Sequence, residues 1–265
     1  MYIISINSNF GLFFCQYDTM FGLQKCEIFR RQLIVVSTCL KASLQLSSSP
    51  TTMSDRAESL SNELAEFCHS DDTLSEDGLS EVIERHGLTP NNIPNITDYK
   101  FFLWTCCNER VTEGIIQYLL EYFPAAASAA RNIGWLPLHS ALHFACSNEN
   151  VTLNIVQLLI DAAPNSVRSV NSSSQMPLHF LCDNKTLDES DAMEIVKLLI
   201  EKYPEAVRHA DNDGDLPIHH ACSWRSPQFC RILIEAYPGS ERVSNDNGLL
   251  PLHFACVTNT VATVE

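Results

Sequence analysis

The spacing of two proline-containing anchors constrains this chain more than any other feature. Four tetrapeptides recur through its second half: Leu136-Pro137-Leu138-His139, Met176-Pro177-Leu178-His179, Leu216-Pro217-Ile218-His219 and Leu250-Pro251-Leu252-His253. The second anchor is an apolar stretch that stops at proline, in Tyr122-Phe123-Pro124, Ala162-Ala163-Pro164, Lys202-Tyr203-Pro204 and Ala236-Tyr237-Pro238. Each of these prolines precedes the next motif proline by thirteen residues, whereas the return distance is 27, 27 and 21. One segment of the unit therefore has fixed length while the other absorbs insertions. A period of this size marks an array of small stacked units rather than one closed core.

Each unit reads as two helices. The first follows the Leu-Pro step, as in Leu216-Pro217-Ile218-His219-His220-Ala221-Cys222. Proline suits a first helical turn because its missing N–H would have no partner there anyway. Ala and Cys keep this helix thin, so a neighbouring unit can approach. The second helix is apolar nearly all round, as in Ile155 to Ile160 and Ile195 to Ile200, which suits a layer held between neighbours. Ser226-Pro227 supplies a side-chain cap and a helix-opening proline. Neither helix can bury its apolar side alone, but stacking units does so. The constant segment carries Asn132-Ile133-Gly134, Asn171-Ser172-Ser173-Ser174, Asp211-Asn212-Asp213-Gly214 and Asn245-Asp246-Asn247-Gly248. These are turn formers, with Gly supplying positive φ in all but the second. A hairpin-like turn of fixed length would set the geometry between units.

Two further regions precede the repeats. Residues 1–52 show no sustained period and read as an unstructured leader or as sequence upstream of a true start at Met53. The alternative is a targeting segment, because Arg30-Arg31 precede the short apolar run Leu33 to Leu40. Residues 53–97 form an acidic, partly helical segment. Leu60, Leu64 and Phe67 lie at helical spacing, as do Leu79, Val82 and Ile83, with Ser75 to Gly78 opening the second helix and Gly87 and Pro90 closing it. The formal net charge of the 265 residues is -15. That balance disfavours nucleic-acid backbones and anionic membrane surfaces, and a basic or neutral protein partner fits better. No apolar run approaches the roughly 18 residues of a spanning helix.

The chemistry-bearing residues read as structural. His143, Cys146, His179, Cys182, His219, Cys222, His253 and Cys256 make a recurrent His-x-x-Cys, which zinc could in principle use. Each unit offers only two such ligands, and successive copies stand about 10 Å apart, which is a helix-packing distance. The odd total of eleven cysteines does not make a disulfide framework, and thiols of this kind suit a reducing, cytoplasmic setting. Cys106-Cys107 lack the spacing of a redox pair. No Gly-x-Ser-x-Gly and no phosphate-cradling Gly-rich loop occurs. The pairs Asp71-Asp72 and Glu76-Asp77 read as a solvated acidic face. Asn95, Asn150, Asn171 and Asn184 head glycosylation-type triplets, which matter only in a secreted protein.

The repeated Leu-Pro-Ile-His-His-Ala (216–221) and Leu-Pro-Leu-His-Phe-Ala (250–255) resemble the Thr-Pro-Leu-His-x-Ala signature of ankyrin repeats. The resemblance covers about the last 130 residues, in units 136–175, 176–215, 216–249 and 250–265, with 98–135 as a degenerate capping unit. It implies an all-α fold, an ankyrin-type helix-turn-helix solenoid with hairpin-like turns between repeats. It also implies a non-enzymatic protein-recognition scaffold without a cofactor. Leu136, Met176, Leu216 and Leu250 replace the signature threonine, so the hydroxyl-to-His bond is missing. A proline step replaces the helix-ending Gly, and Ser174 replaces one turn Gly. Four extra residues in Leu138 to Cys146 leave two registers open for that helix.

A stack presents a concave surface lined by turn tips and first helices. The candidate protein-binding residues are Ile133, Trp135, Ser173, Gln175, Asp213, Asp215, Asn247 and Leu249. Trp135 is either an interface anchor or packing against the first unit. Trp224 and Arg225 form a second contact patch or shield the edge of the stack. The last unit stops at Glu265 within its first helix, so further units are expected beyond it, and a regulatory region of a larger enzyme is the alternative function.

Overall fold

In the computed structural model, residues 53–70, 72–89, 96, 99–127 and 137–258 are described. Residues 1–52, and with them the leader or targeting reading, lie outside these, as do Ile133 and Trp135. The described residues form eleven α-helices joined by turns and short 3-10 segments, with no strand among them. The helices are α1 (Met53–His69), α2 (Glu76–Arg85), α3 (Lys100–Cys107), α4 (Glu113–Tyr122), α5 (Pro137–Ser147) and α6 (Leu153–Ala162). They continue with α7 (Pro177–Asp183), α8 (Glu189–Lys202), α9 (Pro217–Trp224), α10 (Pro227–Ala236) and α11 (Pro251–Thr258). The odd-numbered inner helices pack one on the next from α1 to α11, and the even-numbered outer helices do the same from α2 to α10. The described residues thus form a two-layer, all-α solenoid. The acidic segment joins this array: α1 stacks on α3 and α2 on α4, which extends the solenoid one pair beyond α3–α4.

Local chemistry explains each element. The outer helices open on Thr112, Thr152, Asp188 and Ser226, whose side chains accept the N–H of Ile115, Ile155, Ser190 and Phe229. They end at Phe123, Ala163, Tyr203 and Tyr237, each forced out of helical ψ by the proline that follows. That proline then starts a 3-10 turn in Pro124–Ala127, Pro164–Arg168 and Pro204–Arg208, whereas in the last repeat Gly239, at φ 93°, precedes the turn Ser240–Arg242. Three outer-helix positions are buried in every repeat: Ile115, Ile116 and Leu119; Ile155, Val156 and Leu159; Ile195, Val196 and Leu199; Phe229, Cys230 and Leu233. Each such aliphatic or aromatic side chain contributes roughly 1.5–3 kcal/mol on burial.

The inner helices carry a column of cysteines. Cys68, Cys106, Cys146, Cys182 and Cys222 are buried between successive inner helices, and Cys256 is exposed on α11. Burial pushes the Cys68 and Cys146 thiols up to about 12, so both stay protonated and act as small packing groups. The last helix shows what the stacking accomplishes. Leu178 and Ile218 are covered by the next inner helix, while the equivalent Leu252 on α11 is 47% exposed.

The structure also settles the register of α5. His143 occupies the position of His179 and His219, because its Nε2 pairs with Gln175 O at 3.1 Å and its ring meets Phe180 edge-on. The four extra residues therefore add a turn to the start of α5, which has 11 residues against seven in α7. The equal return distances of 27 in these two units hide different insertions, since the second lies in the loop 184–188 and the 14-residue α8.

Without the signature threonine, the histidine side chain caps the start of the helix. Nδ1 of His179, His219 and His253 accepts the N–H of Met176, Leu216 and Leu250 at 3.1, 3.0 and 2.8 Å. An imidazole that accepts at Nδ1 carries its proton on Nε2. A ring held this way has no free lone pair to offer zinc. Burial, with His220 nearby, lowers His179 to about 3 and keeps it neutral.

A second device links α1 to α7, two residues after the column cysteines of α3, α5 and α7. Asn108 Nδ2 donates to Cys68 O and Ser70 O. Asn148 Nδ2 donates to Cys106 O and Asn108 O, and Asn184 Nδ2 to Cys146 O and Asn148 O. Each Oδ1 accepts the N–H two residues on, at Arg110, Asn150 and Thr186. The ladder thus satisfies the orphan carbonyls at each inner helix end from the following repeat. In the next repeat Trp224 stands at the ladder position, and Arg225, one residue on, makes the bonds to the preceding repeat. Its guanidinium is buried, donating from Nε and Nη2 to Leu181 O and from Nη1 to Leu187 O and Glu189. Arg225 is therefore part of the stack's interior, while its neighbour Trp224 is 41% exposed and donates Nε1–H to Asp183.

Candidate protein-binding surface

The three described turns between repeats are built by one residue each. Asn171 Oδ1 accepts the N–H of Ser173 and Gln175, Asp211 Oδ1 that of Asp213 and Asp215, and Asn245 Oδ1 that of Asn247 and Leu249. The main chain closes the same loops, from Asn171 N to Gln175 O, Asp211 N to Asp215 O and Asn245 N to Leu249 O. The fourth turn position is left-handed in each: Ser174 at φ 61°, Gly214 at 76° and Gly248 at 73°. Ser174 holds this conformation with its carbonyl and hydroxyl both against His209 Nε2. Neighbouring turns then join edge to edge, Asn212 N donating to Ser173 O and Asp246 N to Asp213 O.

Side chains of this row divide into two sets. Gln175 and Asp215 turn into the stack. Gln175 Nε2 donates to Asp211 Oδ2 at 3.2 Å and its Oε1 accepts from Asn171, while Asp215 is buried and accepts from Asn245 Nδ2 at 2.8 Å. Ser173 is half-buried, its N–H and carbonyl both used in the turns. Asp213, Asn247 and Leu249 are exposed at the tips, together with Ser172, Asn212 and Asp246. Tip side chains free of packing between units are thus found at 213, 247 and 249. At 175 and 215 the inward side of the hairpin directs the side chain onto the neighbouring turn instead.

Below the tips runs a half-buried row on successive inner helices, Phe144, Phe180, His220 and Phe254. Each of the last three rings covers the signature histidine of the preceding repeat edge-on, at 5.2 Å for His143–Phe180, 5.6 Å for His179–His220 and 5.5 Å for His219–Phe254. The recurrent Leu-His-Phe carried this signal in the sequence, and it went unused among the binding candidates.

One repeat departs from the pattern. Asp211 and His220 stand where other repeats carry Asn and Phe, and with Asp215 they bring ligand-type atoms within 4.8 Å of one another. Protons already join them. Asp211 Oδ2 pairs with His220 Nε2 at 3.2 Å, Gln175 donates to the same oxygen, and Asn245 donates to Asp215. Burial opposes ionisation of Asp211, yet His220 and the N–H groups of Asp215 and Asp213 outweigh it and hold the carboxyl at about 2. Burial also works against charging His220, and Asp211 reverses that and raises it. The trio is a hydrogen-bonded strut beneath the Asp213 tip.

A family model described as ankyrin repeats (3 copies) matches residues 142–241 and 189–265. Residues 142–265 are ankyrin repeats. Ankyrin repeats are as a rule protein-interaction modules and typically not catalytic. Among solved structures, a chain of the complex of the Bd0816 predatory endopeptidase from Bdellovibrio bacteriovorus with immunity protein Bd3460 is similar in fold. It superposes with a TM-score of 0.53 at 16% identity, covering 76% of this chain and 94% of that one. No curated protein matches the sequence. No helix among the described residues is long and apolar enough to cross a membrane.

Proposed function

We propose that this chain is a non-enzymatic scaffold that binds a partner protein on the concave face of its ankyrin stack. The observation that carries the reading is the division of the turn row. Each of the three described turns is braced by its Asx residue and by a neighbouring turn, while Asp213, Asn247 and Leu249 have exposed side chains. A row of rigid loops with unspent side chains suits recognition, because little conformational freedom remains to be lost on binding. Ile133 and Trp135 extend the same row in sequence, and the partner is a basic or neutral protein rather than a nucleic acid or a membrane surface. The buried, protonated thiols suit a cytoplasmic setting.

The test uses the whole chain as bait beside a variant carrying Asp213→Ala, Asn247→Ala and Leu249→Ala. A partner held by the first and lost by the second, at an unchanged thermal midpoint, supports the assignment. A partner held equally by both overturns it.

A further inference from the structure

The outer-helix position filled by Ile116, Val156 and Val196 in the other repeats is filled by Cys230 in α10. It is a buried position facing the inner layer, and in this repeat it meets the column cysteine of α9. The Cys222 and Cys230 thiols lie in hydrogen-bond contact. The two helices are joined by Arg225-Ser226 alone, so the pair is held in one short helical hairpin. In the repeats of Cys106, Cys146 and Cys182 the equivalent outer-helix position is aliphatic. Access differs as well: Cys222 is 9% and Cys230 5% exposed, against 0% for Cys146 and Cys182.

We propose that Cys222 and Cys230 form a dithiol modification site, at which a small hydroperoxide converts the pair to a disulfide within one repeat. Contact with Cys230 lowers Cys222 from its ordinary value, while contact with Cys222 and then burial raise Cys230. Cys222, the more accessible of the two at 9% against 5%, is the attacking sulfur and Cys230 the resolving thiol. The Cys222 sulfur attacks the peroxide O–O bond, giving Cys222 sulfenic acid and an alcohol, or water from hydrogen peroxide. The Cys230 sulfur then displaces the sulfenic oxygen, which leaves as water with the Cys230 proton. Two thiols supply two electrons and two protons, and one peroxide is reduced. Bonding needs the sulfurs to close from hydrogen-bond contact to about 2.05 Å.

The experiment treats the reduced, folded full chain with one equivalent of hydrogen peroxide, blocks the remaining thiols under denaturing conditions and maps tryptic peptides by mass spectrometry. Cleavage after Arg225 places the two cysteines on separate peptides, so the product appears as His209–Arg225 joined to Ser226–Arg231, two hydrogens lighter than the sum. The pair is expected to cross-link before Cys146 and Cys182 lose reactivity. Cys230→Val restores the side chain of the neighbouring repeats, and with it the Cys222 sulfenic acid should persist and be trapped by dimedone. Absence of the linked peptide while other thiols oxidise would overturn the proposal. So would pairing of Cys222 with other cysteines at equal yield.

Discussion

Asn148→Asp isolates the asparagine ladder better than any truncation, because the side chain keeps its shape and leaves no cavity. Oδ1 still accepts the N–H of Asn150, but the donor to Cys106 O and Asn108 O is lost. Both lost bonds are buried, and each is worth roughly 1 kcal/mol net, or about 1–3 kcal/mol where the carbonyl is left without a partner. The new carboxylate also faces two carbonyl oxygens in a buried site. The expected loss is about 3–5 kcal/mol, a large share of the roughly 5–15 kcal/mol that holds a domain together. Chemical denaturation followed by circular dichroism reads this, with Asn150→Asp, on the exposed neighbour, as a control expected within about 0.5 kcal/mol. A pH series tests the cause. The folded-state pKa of the introduced acid must lie above its unfolded value, so the penalty is full at neutral pH and shrinks as pH falls through the folded value. A loss under 1 kcal/mol at pH 7, or one that does not change with pH, would refute the reasoning and leave water as the partner of those carbonyls.

The remaining predictions follow from single contacts. His179 is lowered to about 3 by burial, so its stabilising effect is complete above its unfolded value near 6.5 and is lost as pH falls toward 3; the arithmetic is about 2 kcal/mol by pH 5, and a flat denaturation midpoint from pH 7 to 5 would contradict it. Arg225→Lys keeps the charge but cannot span the Leu181 and Leu187 carbonyls as a planar fork, and should cost about 2–4 kcal/mol in the same denaturation assay. Gly214→Ala puts a methyl 2.7 Å from Asp246 N, whereas Gly248→Ala meets nothing within 4 Å; both pay the positive-φ cost of roughly 1 kcal/mol, so the thermal midpoint should fall further for the first.

The unit boundaries, the two helices of each repeat and the turn between them follow from residues whose effect is local. Proline opens an inner helix at 177, 217 and 251 and ends an outer one before 164 and 204, whatever surrounds it. Gly214 and Gly248 adopt the positive φ that turn chemistry demands, and Ser226 caps α10 through its own hydroxyl. The packing of α1 and α2 onto α3 and α4 was harder to see, because those helices lack the Leu-Pro-Leu-His step and show only a cysteine and a polar residue, Cys68 and Ser70, at ladder positions. The Cys-x-Asn triplets at 106–108, 146–148 and 182–184 were visible in the sequence, but their partners lie about 40 residues upstream, and no local rule pairs them.

What the chain determined by itself is the array: period, helix starts and stops, and the greasy faces that must be stacked, since all of these arise from interactions within one turn of helix or one hairpin. Tertiary structure alone decided which polar groups are consumed and which remain. Asp213 and Asp215 sit two residues apart on one turn, and the first is exposed while the second is buried against Asn245. Arg225 is interior and Trp224 is not. That choice depends on carbonyls and amides brought together from successive repeats, whose positions exist only once the units are stacked.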